Sequence, residues 1–175
     1  MGGYENEQPG GSLRLWRDYF PRSMIVGLDL HVKTIALGPR VRFVQGNQAE
    51  PADLMRATEA LGGPPDIVID DGSHQIEHAE ESFRALFPLM TQGALYVIED
   101  THTSYWPAYG GGSPAPASTA IGLVKSLVDD VQSHDPVFDQ YPQWGPRPII
   151  DLGGADALHV YPGIVFIEKG SRARR

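Results

Sequence analysis

The sequence predicts an α/β domain whose sheet is mostly parallel, with helices on both faces and an antiparallel hairpin at the carboxyl end. Three observations predict it. Short apolar β-type runs alternate with helix-length segments along most of the chain, the pattern of parallel strands joined by crossovers. The run at 24–30 (MIVGLDL) is nearly continuously apolar, as a strand buried on both faces must be. The last two β-type runs are separated only by Pro162-Gly163, and so short a link joins antiparallel strands.

Taken in order, the first eleven residues hold four glycines and a proline and read as a loop. Ser12 suits a helix N-cap, and Leu13, Trp16 and Phe20 follow at helical spacing until Pro21 ends the helix. The strand 24–30 ends at Asp29. A shorter one, 41–45 (VRFVQ), ends in the polar turn Gln45-Gly46-Asn47-Gln48. A helix is expected over 51–61, with Pro51 where a missing N–H does little harm, and Gly62-Gly63-Pro64-Pro65 closes it. Next come the runs 66–69 (DIVI) and 94–98 (ALYVI). The segment between them carries Ile76, Ala79, Phe83, Phe87 and Met90 at steps of three and four, one apolar stripe of a crossover helix. Residues 107–117, rich in Gly and Pro, read as a flexible loop. A helix over 118–134 should turn Ile121, Val124, Val128 and Val131 inward, and 135–150, with four prolines, reads as irregular. Strands at 157–161 and 163–168 complete a single domain spanning 1–175.

Composition narrows the function. An apolar fraction of 41% is too high for a disordered chain. No apolar run approaches the roughly 18 residues of a membrane span, and the polar amino terminus lacks a signal-peptide core. With no cysteine there are no disulfides, thiolate ligands or cysteine nucleophile. That usage is compatible with the cytoplasm. A net charge of −8 argues against nucleic acid as the main partner.

The chemistry-bearing stretch is 66–106. Both of its β-type runs end in acidic pairs, Asp70-Asp71 and Glu99-Asp100. If the strands are parallel neighbours, four carboxylates crowd the carboxyl edge of one sheet, where open α/β folds place their ligands. Repulsion there is relieved by a hard divalent cation with oxygen ligands, Mg²⁺ for preference. The bland reading is that one residue of each pair caps the next helix and the other is solvated. His74, three residues after Asp71, would hang over the same edge; a histidine ordinarily titrates near 6.5 and suits a general base for a hydroxyl. Structural histidines are common, and the neighbouring carboxylates are what raise its standing. His102 lies next closest. Tyr105 and Trp106 offer flat surface to a sugar or ring, or simply pack their loop. Asp29, at the end of a buried strand, is placed to accept hydrogen bonds from ribose hydroxyls, or else is a loop or capping aspartate.

The segments GGYENEQPGGSLRLWRDYFP, IVGLDL, VRFVQGNQAE, DIVIDDGSH, LFPLMTQGALYVIEDTHTSYWP and LHVYPGIVFIEKG resemble the macrocin/mycinamicin type of sugar O-methyltransferase over nearly the whole chain. These are class I enzymes with a Rossmann-like sheet, dependent on S-adenosylmethionine and Mg²⁺, that act on macrolide and other polyketide glycosides. The resemblance implies that Asp71, Glu99 and Asp100 hold Mg²⁺ and that His74 is the general base. It implies that Asp29 binds the cofactor ribose and that the Gln45–Gln48 turn borders the adenine. Gly3, Ser12, Gln45, Asn47 and Asp70 complete the cofactor-binding residues, and Tyr105 and Trp106 face the substrate. Methyl transfer would then proceed with His74 removing the proton of a sugar hydroxyl as its oxygen attacks the sulfonium methyl in line.

Two departures from the family pattern stand out. Asn47 replaces an expected aspartate and keeps its hydrogen-bonding capacity. By the same resemblance, the first central strand is expected to lie outside these residues, together with the region through which a full-length parent could form a homo-oligomer. Omitting a central strand leaves its neighbours about 10 Å apart, since strands lie about 4.8 Å from one another. The chain is therefore expected to be an amino-terminally incomplete methyltransferase domain. The rivals are an inactive remnant or binding module of the same fold, and a metal-dependent hydrolase or oxygenase. Against an iron oxygenase, there is no clear set of two histidines and one carboxylate.

Overall fold

The computed structural model describes residues 10–133, 135–145 and 154–170, and the chain forms two compact units, Met1–Gly63 and Pro64–Arg175. Its strands fall into two sheets, one in each unit.

The first unit contains α1 (Gly11–Tyr19), β1 (Ile25–Asp29), β2 (Val41–Gln45) and α2 (Pro51–Leu61). The N-cap of α1 is Gly10, in the left-handed region at φ 78°, and not Ser12, which lies inside the first turn. Glycine takes that backbone conformation at no steric cost, so the helix starts two residues earlier than a serine cap would place it. α1 packs on β1 because residue 27 is glycine: a Cβ there would stand 2.7 Å from Leu13 Cδ1. The expected apolar side of α1 is only partly covered, and no residue of the helix is buried. β1 and β2 pair in parallel, from Ile25 opposite Val41 to Asp29 opposite Gln45. The Arg40 guanidinium donates to the carbonyls of Arg17, Phe20 and Ser23 and fastens the turn after α1. α2 has the expected bounds, with Pro51 at its start and Gly62 at φ 92° closing it.

The second unit contains β3 (Ile67–Asp70), α3 (His78–Leu86), β4 (Leu95–Ile98), α4 (Ala120–Gln132), the short α5 (Val137–Gln140), β5 (Ala155–Tyr161) and β6 (Ile164–Lys169). The sheet order is β3-β4-β6-β5. β3 and β4 are parallel, whereas β6 runs antiparallel to both β4 and β5. The antiparallel strand is thus interior, and β5 forms the edge.

One face of this sheet carries the core, in which Phe83 and Phe87, Leu123, Val124 and Leu127 close over Tyr96, Ile98, Val165 and Ile167. The crossover helix stops at Leu86, and Phe87–Leu89 forms a 3-10 turn, because Pro88 has no N–H to continue the α-helical ladder. Phe87 and Met90 stay buried all the same. In α4 the buried stripe is Leu123, Val124 and Leu127, with Val131 partly covered; Val128, expected inward, is 48% exposed. Leucines and valines alternate along α4, so periodicity alone does not choose between the two stripes. Asp130, 1% exposed, accepts a 2.9 Å hydrogen bond from the Ala155 N–H and ties α4 to the start of β5.

Leu127 is fully buried at the centre of this packing. Leu127→Ala should therefore cost about 2–5 kcal/mol. Urea unfolding should show a lower midpoint with an unchanged slope, and an unaltered midpoint would refute the packing described.

Candidate functional site

β3 and β4 are hydrogen-bonded parallel neighbours, with Ile67 opposite Leu95 and Asp70 opposite Ile98. Their carboxyl ends therefore emerge side by side, and the Glu99 N–H continues the ladder onto the Asp70 carbonyl at 3.0 Å. Asp71, His74 and Asp100 converge there, each offering a ligand atom within 4.8 Å of the others. His74 Nε2 lies 3.9 Å from Asp71 Oδ1 and 3.7 Å from Asp100 Oδ2. These are electrostatic contacts, longer than hydrogen bonds.

Backbone geometry creates the convergence. His74 and Asp100 are in the left-handed region, at φ 56° and 50°, a conformation sparsely used outside glycine and found disproportionately at functional sites. The carbonyl of Asp100 accepts from the N–H and the hydroxyl of Thr103, and the next N–H, of Thr101, donates to the Gly163 carbonyl in the β5–β6 turn. The turn that carries His74 is pinned by Ile76 N–H to the Tyr109 carbonyl and Glu77 N–H to the Ser118 carbonyl. A 2.7 Å contact between Ser73 Oγ and His78 Nδ1 braces it from within. Neither Asp100 nor Glu77, the residues at the relevant helix starts, makes a side-chain cap bond. The acidic pairs therefore do not serve as the helix caps of the bland reading.

The carboxylates strain against one another. Burial, then the charge of Asp100, raises the Asp71 carboxyl, with His74 opposing. Burial also raises Glu99, and Asp71 and Asp100 add to it. Glu99 is thus an electrostatic neighbour of the cluster, but its carboxylate is not one of the three converging groups. Asp70 faces the other way: its Oδ2 accepts from the Tyr96 hydroxyl at 3.3 Å.

Residues 101–109 form two 3-10 turns, Thr101–Tyr105 and Pro107–Tyr109, and the segment reading as a loop is held in place. Gly112 N–H donates to the Ser104 carbonyl, and a Cβ on Gly111 would stand 2.5 Å from that same oxygen. Tyr105 and Trp106 are 45% and 49% exposed. Trp106 packs edge-on against His102 at 4.7 Å between ring centroids, and Tyr109 lies 6.3 Å from the His74 ring. The contact of Tyr109 with His74 had only its place in the aromatic run Tyr105-Trp106…Tyr109 to announce it. The anchoring of Asp100 by Thr103 had no signal in the sequence.

In the first unit, Asp29 and Gln45 end β1 and β2 in register, with Asn47 in the turn beyond. Asp29 Oδ1 accepts from the His31 N–H and Oδ2 pairs with Lys33 Nζ, each at 2.8 Å. Partial burial pushes the Asp29 carboxyl up, but Lys33 and the His31 N–H outweigh it and hold it below its ordinary value. Gln45 Nε2 donates to the Leu30 carbonyl, and the Asn47 N–H donates to Asp53 Oδ2. Asn47 Oδ1 accepts from the Ala49 N–H, so the side chain closes its own turn. Ser12 is exposed. Gly3 lies outside the described residues.

No protein-family model matches the chain. It is 46% identical to demethylmacrocin O-methyltransferase of Streptomyces fradiae and 45% identical to mycinamicin VI 2''-O-methyltransferase of Micromonospora griseorubida. Each alignment takes in 97% of this chain and 42% of the relative. Among solved structures it is similar to the MycE methyltransferase of the mycinamycin biosynthetic pathway in complex with Mg, SAH and mycinamycin VI. The TM-score there is 0.77 at 42% identity, covering 97% of this chain and 43% of that one. The fold is that of a class I methyltransferase, and in the four-stranded sheet β6 is the one strand antiparallel to its neighbours. More narrowly, the chain is similar, over nearly all of its own length, to part of the macrocin/mycinamicin type of sugar O-methyltransferase. It spans about two-fifths of the length of the curated relatives it matches.

Proposed function

We propose that this protein transfers a methyl group from S-adenosylmethionine to a sugar hydroxyl of a macrolide- or polyketide-type glycoside, with Mg²⁺ at the acidic cluster. The observation that carries the reading is the convergence of Asp71, His74 and Asp100 at the carboxyl edge of β3 and β4. The named activities of the relatives and the Mg- and SAH-bound neighbours support it. Residues 1–175 are read as one methyltransferase domain.

The donor set fits the cation. Mg–oxygen bonds are about 2.0–2.1 Å, so opposed ligands stand about 4 Å apart. The 4.8 Å spread of the cluster is slightly wide, and Asp71 and Asp100, both exposed, have room to rotate. Mg²⁺ prefers oxygen to imidazole, so Asp71 and Asp100 would hold it, joined by Glu99, and His74 would be left for proton transfer. When bound, the cation supplies charge that makes a nearby hydroxyl easier to deprotonate.

The remaining roles belong to the chain itself. His74 accepts the acceptor's proton at Nε2, and Asp71 and Asp100, less than 4 Å away, stabilise the imidazolium that results. Tyr105 and Trp106 give the sugar an apolar face. Asp29 binds the ribose, displacing Lys33, and Gln45 and Asn47 border the adenine, with Gly3, Ser12 and Asp70 completing the cofactor side. Holding both reactants in line accounts for much of the acceleration.

The test is to incubate the protein with S-adenosylmethionine, Mg²⁺ and a panel of deoxysugar glycosides, and to follow methylation by mass spectrometry. A product carrying one added methyl, lost on chelation, is expected. Binding of the cofactor with no turnover on any acceptor would favour the inactive remnant instead.

A further inference from the structure

Asp70 and Asp71 are consecutive, yet their carboxylates point in different directions. Successive strand residues face opposite sides of a sheet. Asp71 reaches the cluster with His74. Asp70, on the side of Val68, which packs against the core, meets the hydroxyl of Tyr96.

Tyr96 is an unusual residue for its position. It is fully buried in the middle of β4, with its ring 5.1 Å from Phe83 and 6.3 Å from Phe87, so packing locks its orientation. A phenylalanine would fill the same space without burying a hydroxyl, which costs stability unless the group is hydrogen-bonded. The hydroxyl is bonded on both sides, to Ser82 of α3 and to Asp70. Burial, and then the charge of Asp70, raises the phenol well above its ordinary value, so it stays protonated and donates. β3 is only four residues long and, among the described residues, pairs with β4 alone. The Glu99 N–H holds the Asp70 carbonyl at the end of the strand, and the bond to Tyr96 adds a hold on the side chain.

We propose that Tyr96 is a positioning residue: its hydroxyl, braced by Ser82, anchors the Asp70 carboxylate and so fixes the end of β3 from which Asp71 is presented to Asp100 and His74. The inference rests on reading that cluster as the cation site. It gives Asp70 an anchoring role in addition to any contact with the cofactor.

Mn²⁺ binding to the full chain, followed by electron paramagnetic resonance well below the melting temperature, tests it. Tyr96→Phe keeps the packing and deletes one oxygen, and it should weaken Mn²⁺ binding roughly tenfold, as loss of a supporting contact behind metal ligands commonly does. Asp70→Ala should do the same and decides the matter if Y96F does not fold. Asp70→Asn, whose amide oxygen still accepts from the phenol, should recover most of the affinity that D70A loses. A purely structural role would lower the melting temperature of Y96F and leave its Mn²⁺ affinity unchanged, and that result overturns the proposal. So does a D70N as weak as D70A, since charge alone would then explain the loss. Wild-type protein that takes up no Mn²⁺ would refute the cation reading and this inference with it. Wild-type binding with Y96F unchanged would refute the inference alone.

Discussion

Replacing His74 by alanine is expected to lower the rate of methyl transfer by about 10²–10⁴-fold, the usual contribution of a positioned general base, with a smaller effect on cation affinity. His74 is the one imidazole in the converging cluster, and its Nε2 points toward two carboxylates able to stabilise the charge it acquires. The backbone is committed to this placement. A φ of 56° at residue 74 is held by main-chain hydrogen bonds from Ile76 and Glu77 to the 109–118 segment, with the ring of Tyr109 alongside. Conformations of that kind cost of order 1–3 kcal/mol and persist only where surrounding contacts enforce them. Single-turnover measurements on whichever glycoside the wild-type protein methylates will separate chemistry from binding. H74A retaining full turnover would leave the proton to solvent and remove His74 from the reaction.

The second large effect concerns Asp71. Asp71→Asn should abolish the response of the protein to Mg²⁺, seen as loss of the stabilisation that saturating cation gives the wild type. A ligand at 100 times its dissociation constant stabilises by about 2.7 kcal/mol, which calorimetry detects readily. The pH dependence has a definite sign. Burial, with the charge of Asp100 added, raises the folded-state carboxyl of Asp71; burial, with Asp71 and Asp100 added, raises that of Glu99. The cation-free folded protein therefore holds these protons more tightly than the unfolded chain does. Their stabilising contribution is fully present below the unfolded carboxyl values and is lost as pH rises through the raised folded ones. Above that window the crowded carboxylates are a cost that the cation offsets. Stabilisation by Mg²⁺ should thus grow with pH across the same window and vanish below it. Cation-free D71N should be no less stable than cation-free wild type near neutrality. The gain is limited to about 0–1 kcal/mol, because the Asp71 side chain is 55% exposed and screened by solvent. A Mg²⁺ response unchanged in D71N would rule out Asp71 as a ligand.

Much of the architecture was legible because its signals are local. Pro51 and Gly62 bracket α2 by backbone preference alone, and β2 ends at Gln45 where the apolar pattern ends. Pro162-Gly163 announced the hairpin, and the acidic pairs announced the strand ends. Where two local signals competed, the sequence could not arbitrate. In α4 both a valine stripe and a leucine stripe were available, and contact with Phe83, Phe87 and the sheet selected Leu123, Val124 and Leu127. The crossover helix shows the same limit: the apolar stripe ran on to Met90, and Pro88 changed the geometry of its last turn without changing what it buries.

The sequence by itself determined the chemistry of this protein's edge: carboxylates ending two adjacent strands, a histidine three residues beyond the first, aromatics after the second. Residue type and spacing encode those, because strand periodicity and turn preference act over a few residues. Only the tertiary structure decided which groups meet. It put His74 between Asp71 and Asp100 through two left-handed backbone positions, set the Glu99 carboxylate beside rather than within the trio, and turned Asp70 inward. The bond between Asp70 and Tyr96 joins residues 26 positions apart. It exists because the register of β3 on β4 and the packing of two phenylalanines bring a buried hydroxyl under a strand end, and no local pattern records that.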